Sequence, residues 1–254
     1  MGLLQDKIVA VVGGTSGIGE AASKLFAKEG ATVAVVGRRQ AEGEAIVADI
    51  LAAGGKASFI QADVADAASV EEMTQEIVKR HGRLDAAFNN FGIDGGMKPV
   101  IDQTEADYDR IMDINLKGAF FALKSQLPVM LAQGKGAIVF TSSVLAEVSL
   151  PGSNLYSASK AGLIGLARSA AVEVAAKGVR VNVVSPAITR TPMTAGGFKT
   201  GADGEQKHVL TDFHPIGRVA EPEEVAEAAL FLLADRASFI TGHTLTVDGG
   251  LTAR

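Results

Sequence analysis

The sequence predicts an α/β protein, a single Rossmann-like domain whose doubly wound parallel sheet carries helices on both faces. Three observations lead there. Short apolar runs alternate with longer helical stretches through nearly the whole chain. The runs are apolar at consecutive positions rather than at every second one, which suits strands buried on both faces. The first run leads at once into a glycine-rich turn, GGTSGIG over 13–19, followed by a helical stretch.

Taken in order, residues 7–12 read as the first strand and 20–28 as the first helix. The glycines between them let backbone N–H groups and a helix N-terminus approach an anion, so this is a phosphate-binding entry. No G-K-[ST] follows, which argues against a P-loop ATPase. A second strand, 32–36, ends at Gly37, Arg38 and Arg39. A helix over 41–53 stops at two glycines. Strand 57–61 runs to Asp63 and Val64, and a helix over 68–81 stops at Gly82. Strand 84–88 leads into Asn89, Asn90, Phe91 and Gly92. A long helical stretch over 104–133 carries Asn115, with a kink expected at Pro128. Strand 137–141 ends at Ser142 and Ser143, and a helix follows from about Tyr156. Strand 179–184 ends at Ser185 and Pro186. Residues 187–214 show no clean period, which suggests a mobile segment covering a site. Pro222, with Glu221, Glu223 and Glu224, starts a helix where proline and acids belong. Strand 244–247 closes the fold before Asp248, Gly249 and Gly250. There is no linker or repeat, so residues 1–254 form one domain.

Composition narrows the function. At 254 residues, with 47 % hydrophobic and 21 % charged residues, the chain has ample core for a globular domain. A net charge of −5 without a basic block gives no support to nucleic-acid or anionic-membrane binding. The absence of cysteine excludes disulfides and thiolate metal sites and fits a reducing compartment. The four histidines have no metal-ligand spacing, so no metal is expected. No apolar run reaches the roughly 18 residues that a membrane span needs. The expectation is a cytoplasmic protein.

One pair of side chains carries chemistry. Tyr156 and Lys160 stand four apart in a helical stretch, which puts both on one face. A free phenol titrates near pH 10, too high for a base at neutral pH. An ammonium at ~4 Å in an effective dielectric of ~20 supplies about 4 kcal/mol, roughly three pKa units. Lys160 could therefore bring the phenol close to working pH. Ser143, thirteen residues before Tyr156, could add a hydroxyl, with Ser142 as its nearest rival.

With these residues in place, the chain resembles the short-chain dehydrogenase/reductase family over nearly its whole length. Gly13, Gly17, Ile18 and Gly19 match that family's glycine pattern, and Asp63 its adenine-contacting acid. Asn89, Asn90 and Gly92 match its Asn-Asn-Ala-Gly motif. Asn115, Ser143, Tyr156 and Lys160 match its catalytic tetrad. Pro186 with Thr191 matches the segment around the nicotinamide, and the ending at 247–250 is a common one. Three departures stand out: Val12 in place of Thr, Phe91 in place of Ala, and Ala187 in place of Gly.

The resemblance implies hydride transfer between a nicotinamide cofactor and a ketone or secondary alcohol. Ser143 would bind the reacting oxygen, Tyr156 would carry its proton, and Lys160 would tune the phenol and hold ribose hydroxyls. Asn115 would hold a water linking Lys160 to solvent. The cofactor would lie along Gly13, Ser16, Gly17, Ile18, Gly19, Asp63, Val64, Asn90, Gly92, Pro186, Ile188 and Thr191, as well as Tyr156 and Lys160. An acid after the second strand would favour NAD(H). Gly37 followed by Arg38 suits a 2′-phosphate, so NADP(H) is expected, with NAD(H) also admitted. Leu145, Leu150, Met193 and Phe198 are the pocket positions expected to meet an apolar substrate, with Val148, Ile188 and Phe213 further candidates and Glu147 the polar exception. Similar proteins assemble through the long helix and the helix after Tyr156, which implies a homotetramer. A 3-oxoacyl-carrier-protein reductase and a non-catalytic dinucleotide sensor remain as alternative readings. A sugar-nucleotide epimerase would need a longer chain.

Overall fold

The computed structural model describes residues 2–201 and 206–253. Strand β1 (Ile8–Val12) is followed by α1 (Gly17–Lys28), β2 (Thr32–Gly37), α2 (Gln40–Ala52), β3 (Lys56–Gln61) and α3 (Ala67–His81). Then come β4 (Ala86–Asn89), α4 (Glu105–Met112), α5 (Gly118–Gln133), β5 (Gly136–Thr141), α6 (Asn154–Val174) and β6 (Val179–Pro186). Two short strands, β7 (Phe198–Thr200) and β8 (Gln206–His208), form an antiparallel hairpin. The chain closes with α7 (Pro222–Leu233) and β9 (Thr244–Val247).

Seven strands make one sheet in the order β3-β2-β1-β4-β5-β6-β9, and every pairing in it is parallel. Successive strand residues feed opposite faces. Val9 and Val11 join the cluster under α1, α2 and α7, with Phe26, Ile50 and Leu230. Ala10 and Val12 join the cluster under α3, α5 and α6, with Met73, Leu123 and Leu163. Both faces of β1 are thus dry, the reason its sequence does not alternate. Phe91 belongs to the same buried cluster as Val12. A Cβ on Gly118 would come within 3.1 Å of its ring, so the Phe91 side chain reaches toward the start of α5.

Local signals set the helix ends. Asp66 caps α3 by accepting from the Ala68 N–H at 3.1 Å, and Gly82 ends it at φ +79°. Thr104 and Asp107 form a reciprocal capping box on α4, and Glu221 with Glu224 does the same for α7.

One expectation needs correction. The stretch 104–133 is not one helix, because a π-turn over Asp113–Lys117 separates α4 from α5. It carries Asn115, and such turns aim a side chain where a regular helix would not. Residues 187–214, expected as a mobile covering segment, carry short elements where the sequence shows no period. They hold a 3₁₀ segment (Pro192–Gly197), the β7–β8 hairpin and a second 3₁₀ turn (Thr211–Phe213). Short elements of this kind have no period to read. Residues 202–205, also within that expectation, lie outside the described residues.

Candidate active site

The strand order reverses beside β1: β2 leaves on one side and β4 pairs on the other. A crevice at the carboxyl ends of the strands is the result. It is a cavity of about 1280 Å³, floored by Val12 and Gly13 after β1, Asn90 after β4 and Ser143 after β5. Because β1, β2 and β4 are in register at Val12, Val36 and Asn89, the loops that follow them emerge side by side.

Tyr156, Lys160 and Ser143 meet at one end of this cavity. Helix α6 places Lys160 Nζ 5.7 Å from the centre of the Tyr156 ring. The ammonium is buried, at 2 % exposure, and donates to the Thr141 carbonyl at 2.8 Å. Ser142 is committed elsewhere, its hydroxyl donating to the Lys160 carbonyl at 3.0 Å. That leaves Ser143 facing the phenol. Its Oγ accepts from the Leu145 N–H at 3.2 Å and keeps its own proton to give.

Burial governs the charges here. It pushes the Tyr156 phenol up to about 12, with Ser143 drawing it back and the charge of Asp94 adding to the rise. It pulls Lys160 down to about 8. The direction differs from the expectation that the lysine would bring the phenol toward neutral pH: desolvation is the largest influence on Tyr156 and the one that lowers Lys160. The phenol is protonated at neutral pH, the form that donates to a carbonyl oxygen.

Asn115 is fully buried and does not line the cavity. Its Nδ2 donates to the Ile93 carbonyl at 2.9 Å and to Ser159 Oγ at 3.0 Å, while its Oδ1 accepts from the Ile93 N–H at 2.8 Å. It clamps the loop after β4 to α6. Gly92 is held close: a Cβ there would lie 3.0 Å from Lys160 Nζ and 3.3 Å from Asn115 Oδ1.

At the other end the glycine turn opens on α1. Gly13 and Gly17 have φ of +81° and +53°, conformations that favour glycine. Ser16 stands at the N-cap with its side chain making no cap bond, so the N-cap side chain does not take up the first-turn N–H groups. Ser16, Gly17 and Ile18 line the cavity, whereas Gly19 is buried under the turn, where a Cβ would strike the Gly13 carbonyl. Arg38 is exposed beside Asp63, its guanidinium 3.9 Å from the carboxylate. Val64, Pro186, Ile188 and Thr191 complete the wall. An anionic dinucleotide fits this set: a helix N-terminus and two arginines at one end, and the Lys160 ammonium close to Gly92 at the other.

Of the expected substrate positions, Leu145, Leu150 and Met193 line the cavity. Phe198 does not. Its ring lies 4.3 Å under the Arg190 guanidinium and 5.0 Å from the His208 ring, and His208 takes its place in the lining. Val148, Ile188 and Phe213 are also lining residues, while Glu147 is not. Arg39, Thr15 and Asp94 are among the lining residues that the sequence gives no role. Arg39 donates to the Thr15 carbonyl and hydroxyl, both at 3.1 Å, and so braces the glycine turn. Thr15 itself lies against Gly37, and Asp94 lines the cavity beyond Gly92. No spacing in the sequence marks Thr15 or Asp94. Arg39 was visible only as the second of two arginines.

A family model described as enoyl-(acyl carrier protein) reductase matches residues 12–252. An A-factor type gamma-butyrolactone 1'-reductase (1S-forming) of Streptomyces virginiae is 42 % identical over 252 residues, covering 99 % of this chain and 97 % of its own. A 2,5-dichloro-2,5-cyclohexadiene-1,4-diol dehydrogenase of Sphingobium indicum is 40 % identical over 251 residues, covering 98 % of both chains. The crystal structure of a short-chain dehydrogenase/reductase from Burkholderia xenovorans superposes with a TM-score of 0.91 at 37 % identity, covering 100 % of this chain and 99 % of that one. Likeness of this extent, with an alcohol or ketone as the substrate type of such relatives, makes the chain an oxidoreductase of the short-chain dehydrogenase/reductase family.

Proposed function

We propose that this oxidoreductase is NADP(H)-preferring and interconverts an apolar ketone and its secondary alcohol, with Tyr156 as the acid–base residue. The carrying observation is the meeting of the Tyr156 phenol, the Ser143 hydroxyl and the buried Lys160 ammonium at the inner end of a cavity walled by Leu145, Leu150 and Met193. The cofactor, when bound, supplies or takes up the hydride. Everything else falls to the chain's own groups.

Ser143 donates a hydrogen bond to the substrate oxygen and stabilises charge as it develops there. Tyr156 gives its proton to that oxygen in reduction and recovers one in oxidation. Lys160, fixed on the Thr141 carbonyl, sets the electrostatics beneath the phenol. Asn115 acts as a positioning residue through Ile93. Arg38, beside a Gly37 that brings no carboxylate, supports the preference for a 2′-phosphate. Absence of cysteine agrees with a cytoplasmic location, and no helix among the described residues is long and apolar enough to cross a membrane.

The test is Tyr156→Phe. It should reduce turnover of secondary alcohols to background while leaving dinucleotide affinity, measured by fluorescence titration, within about twofold, since only the phenolic hydroxyl is lost. Appreciable residual turnover would overturn the assignment.

A further inference from the structure

Among the described residues, Asp94 is the one carboxylate lining the substrate end of the cavity, since Asp63 lies at the far end beside Arg38. It is exposed, and the chain holds it in place from both sides. Before it, both backbone groups of Ile93 are bound to the Asn115 amide. After it, Gly95 and Gly96 turn at φ +73° and +78°, and a Cβ at Gly95 would strike Ile111 of α4. The loop is then tied to the opposite wall: the Lys98 N–H donates to the Gly152 carbonyl at 3.1 Å, and Asn154 Nδ2 donates to the Lys98 carbonyl at 3.1 Å.

The carboxylate is only half used. Its Oδ1 accepts from the Gly96 N–H at 3.2 Å, and its Oδ2 has no partner among the described residues. Nearby cations are engaged elsewhere. Lys98 pairs with Asp107 at 2.6 Å, Lys160 is buried on the Thr141 carbonyl, and Arg38 and Arg39 stand at the far end. His208, also lining the cavity, has its pKa lowered by burial and then by His214, which favours the uncharged imidazole. An unneutralised negative charge thus faces the substrate space, and it is felt at the reacting end, where it disfavours loss of the Tyr156 proton.

Taking the alcohol/ketone chemistry proposed above as given, we propose that Asp94 is a specificity-determining residue: it selects neutral substrates bearing a second hydroxyl, such as diols or hydroxyketones, and rejects the matching carboxylates. The free Oδ2 accepts the hydrogen bond of a hydroxyl distant from the reacting carbon. A carboxylate in that place meets like charge with no cation to offset it, at a cost that solvent reduces but does not abolish.

The test compares 1,4-cyclohexanediol with 4-hydroxycyclohexanecarboxylate on the full chain, as wild type and as Asp94→Asn. Wild type is expected to favour the diol in kcat/KM by about tenfold or more, a discrimination in the range of one unpaired charge. Asp94→Asn should bring the two within about threefold, chiefly by raising the carboxylate's kcat/KM. It should also move the pH–rate profile for diol oxidation to lower pH, because a charge opposing phenol ionisation is gone; a merely structural role would not do this. A wild type that prefers the carboxylate, or a ratio unchanged in Asp94→Asn, would overturn the proposal. If neither compound is turned over, the alcohol/ketone reading is what fails, and calorimetric binding of the same two compounds decides the role of Asp94: equal affinities in wild type refute it, and a preference for the diol that Asp94→Asn removes supports it.

Discussion

Lys160 shows what a working residue costs the fold. Its ammonium is buried with one carbonyl partner, and burial takes its pKa from 10.5 in the unfolded chain to about 8. Between those values the unfolded chain holds a proton that the folded one has released, so this residue makes stability rise with pH across that window. Below about pH 8 its penalty is present in full. Lys160→Met is therefore expected to be more stable than wild type at pH 7, by roughly 1–3 kcal/mol after the lost hydrogen bond is counted. The gain should shrink through pH 8–10.5, and urea denaturation at pH 7 and pH 10 measures both. Activity should be lost at every pH. A variant destabilised at pH 7 would show that the ammonium is better solvated than its burial implies. Val12 and Phe91, two of the three departures from the family pattern, sit in one buried apolar cluster.

At the scale of elements, the end of β2 meets the glycine turn after β1, and this contact bears on cofactor choice. A Cβ at Gly37 would lie 2.6 Å from Thr15 Cγ2, and Thr15 is itself gripped by Arg39. Position 37 thus lacks room for an acid while Thr15 stands. Wild type is expected to bind NADPH about tenfold more tightly than NADH, the scale of one charge-assisted hydrogen bond from Arg38. Gly37→Asp alone should weaken both dinucleotides, because the turn must move to admit the side chain. Thr15→Ala combined with Gly37→Asp should favour NADH. Fluorescence titration at fixed ionic strength checks all three. A single Gly37→Asp variant that binds NADH well would show that the turn yields easily.

For the whole molecule, exposed apolar side chains suggest assembly. Phe120 on α5 and Val172 on α6 are 48 % and 82 % exposed, and Tyr108 on α4 is 48 % exposed. They lie on the helices through which a homotetramer is expected to form, and association would remove them from water. Sedimentation at micromolar concentration is expected to give a tetramer, and Phe120→Glu with Val172→Glu to give smaller species with the fold retained by circular dichroism. A monomeric wild type would exclude this arrangement.

Legible in the sequence were the seven strands of the parallel sheet, most of the helices between them, and Ser143, Tyr156 and Lys160 as neighbours. The reason is that these rest on local periodicity, on end signals such as Gly82 and Pro222, and on motifs whose spacing is short. Strand 244–247 was legible to the residue, and most other ends fell within one or two positions. Tertiary structure decided what depends on groups distant along the chain. It split 104–133 at a π-turn so that Asn115 reaches Ile93 rather than the cavity. It folded Phe198 under Arg190 and put His208 in the lining instead. It brought Asp94 to the substrate end through a loop with no pattern of its own. Above all, it reversed the expected balance at Tyr156. A charge pair can be read from a spacing of four residues, but desolvation depends on everything packed around the pair, and here it leads the causes at both Tyr156 and Lys160.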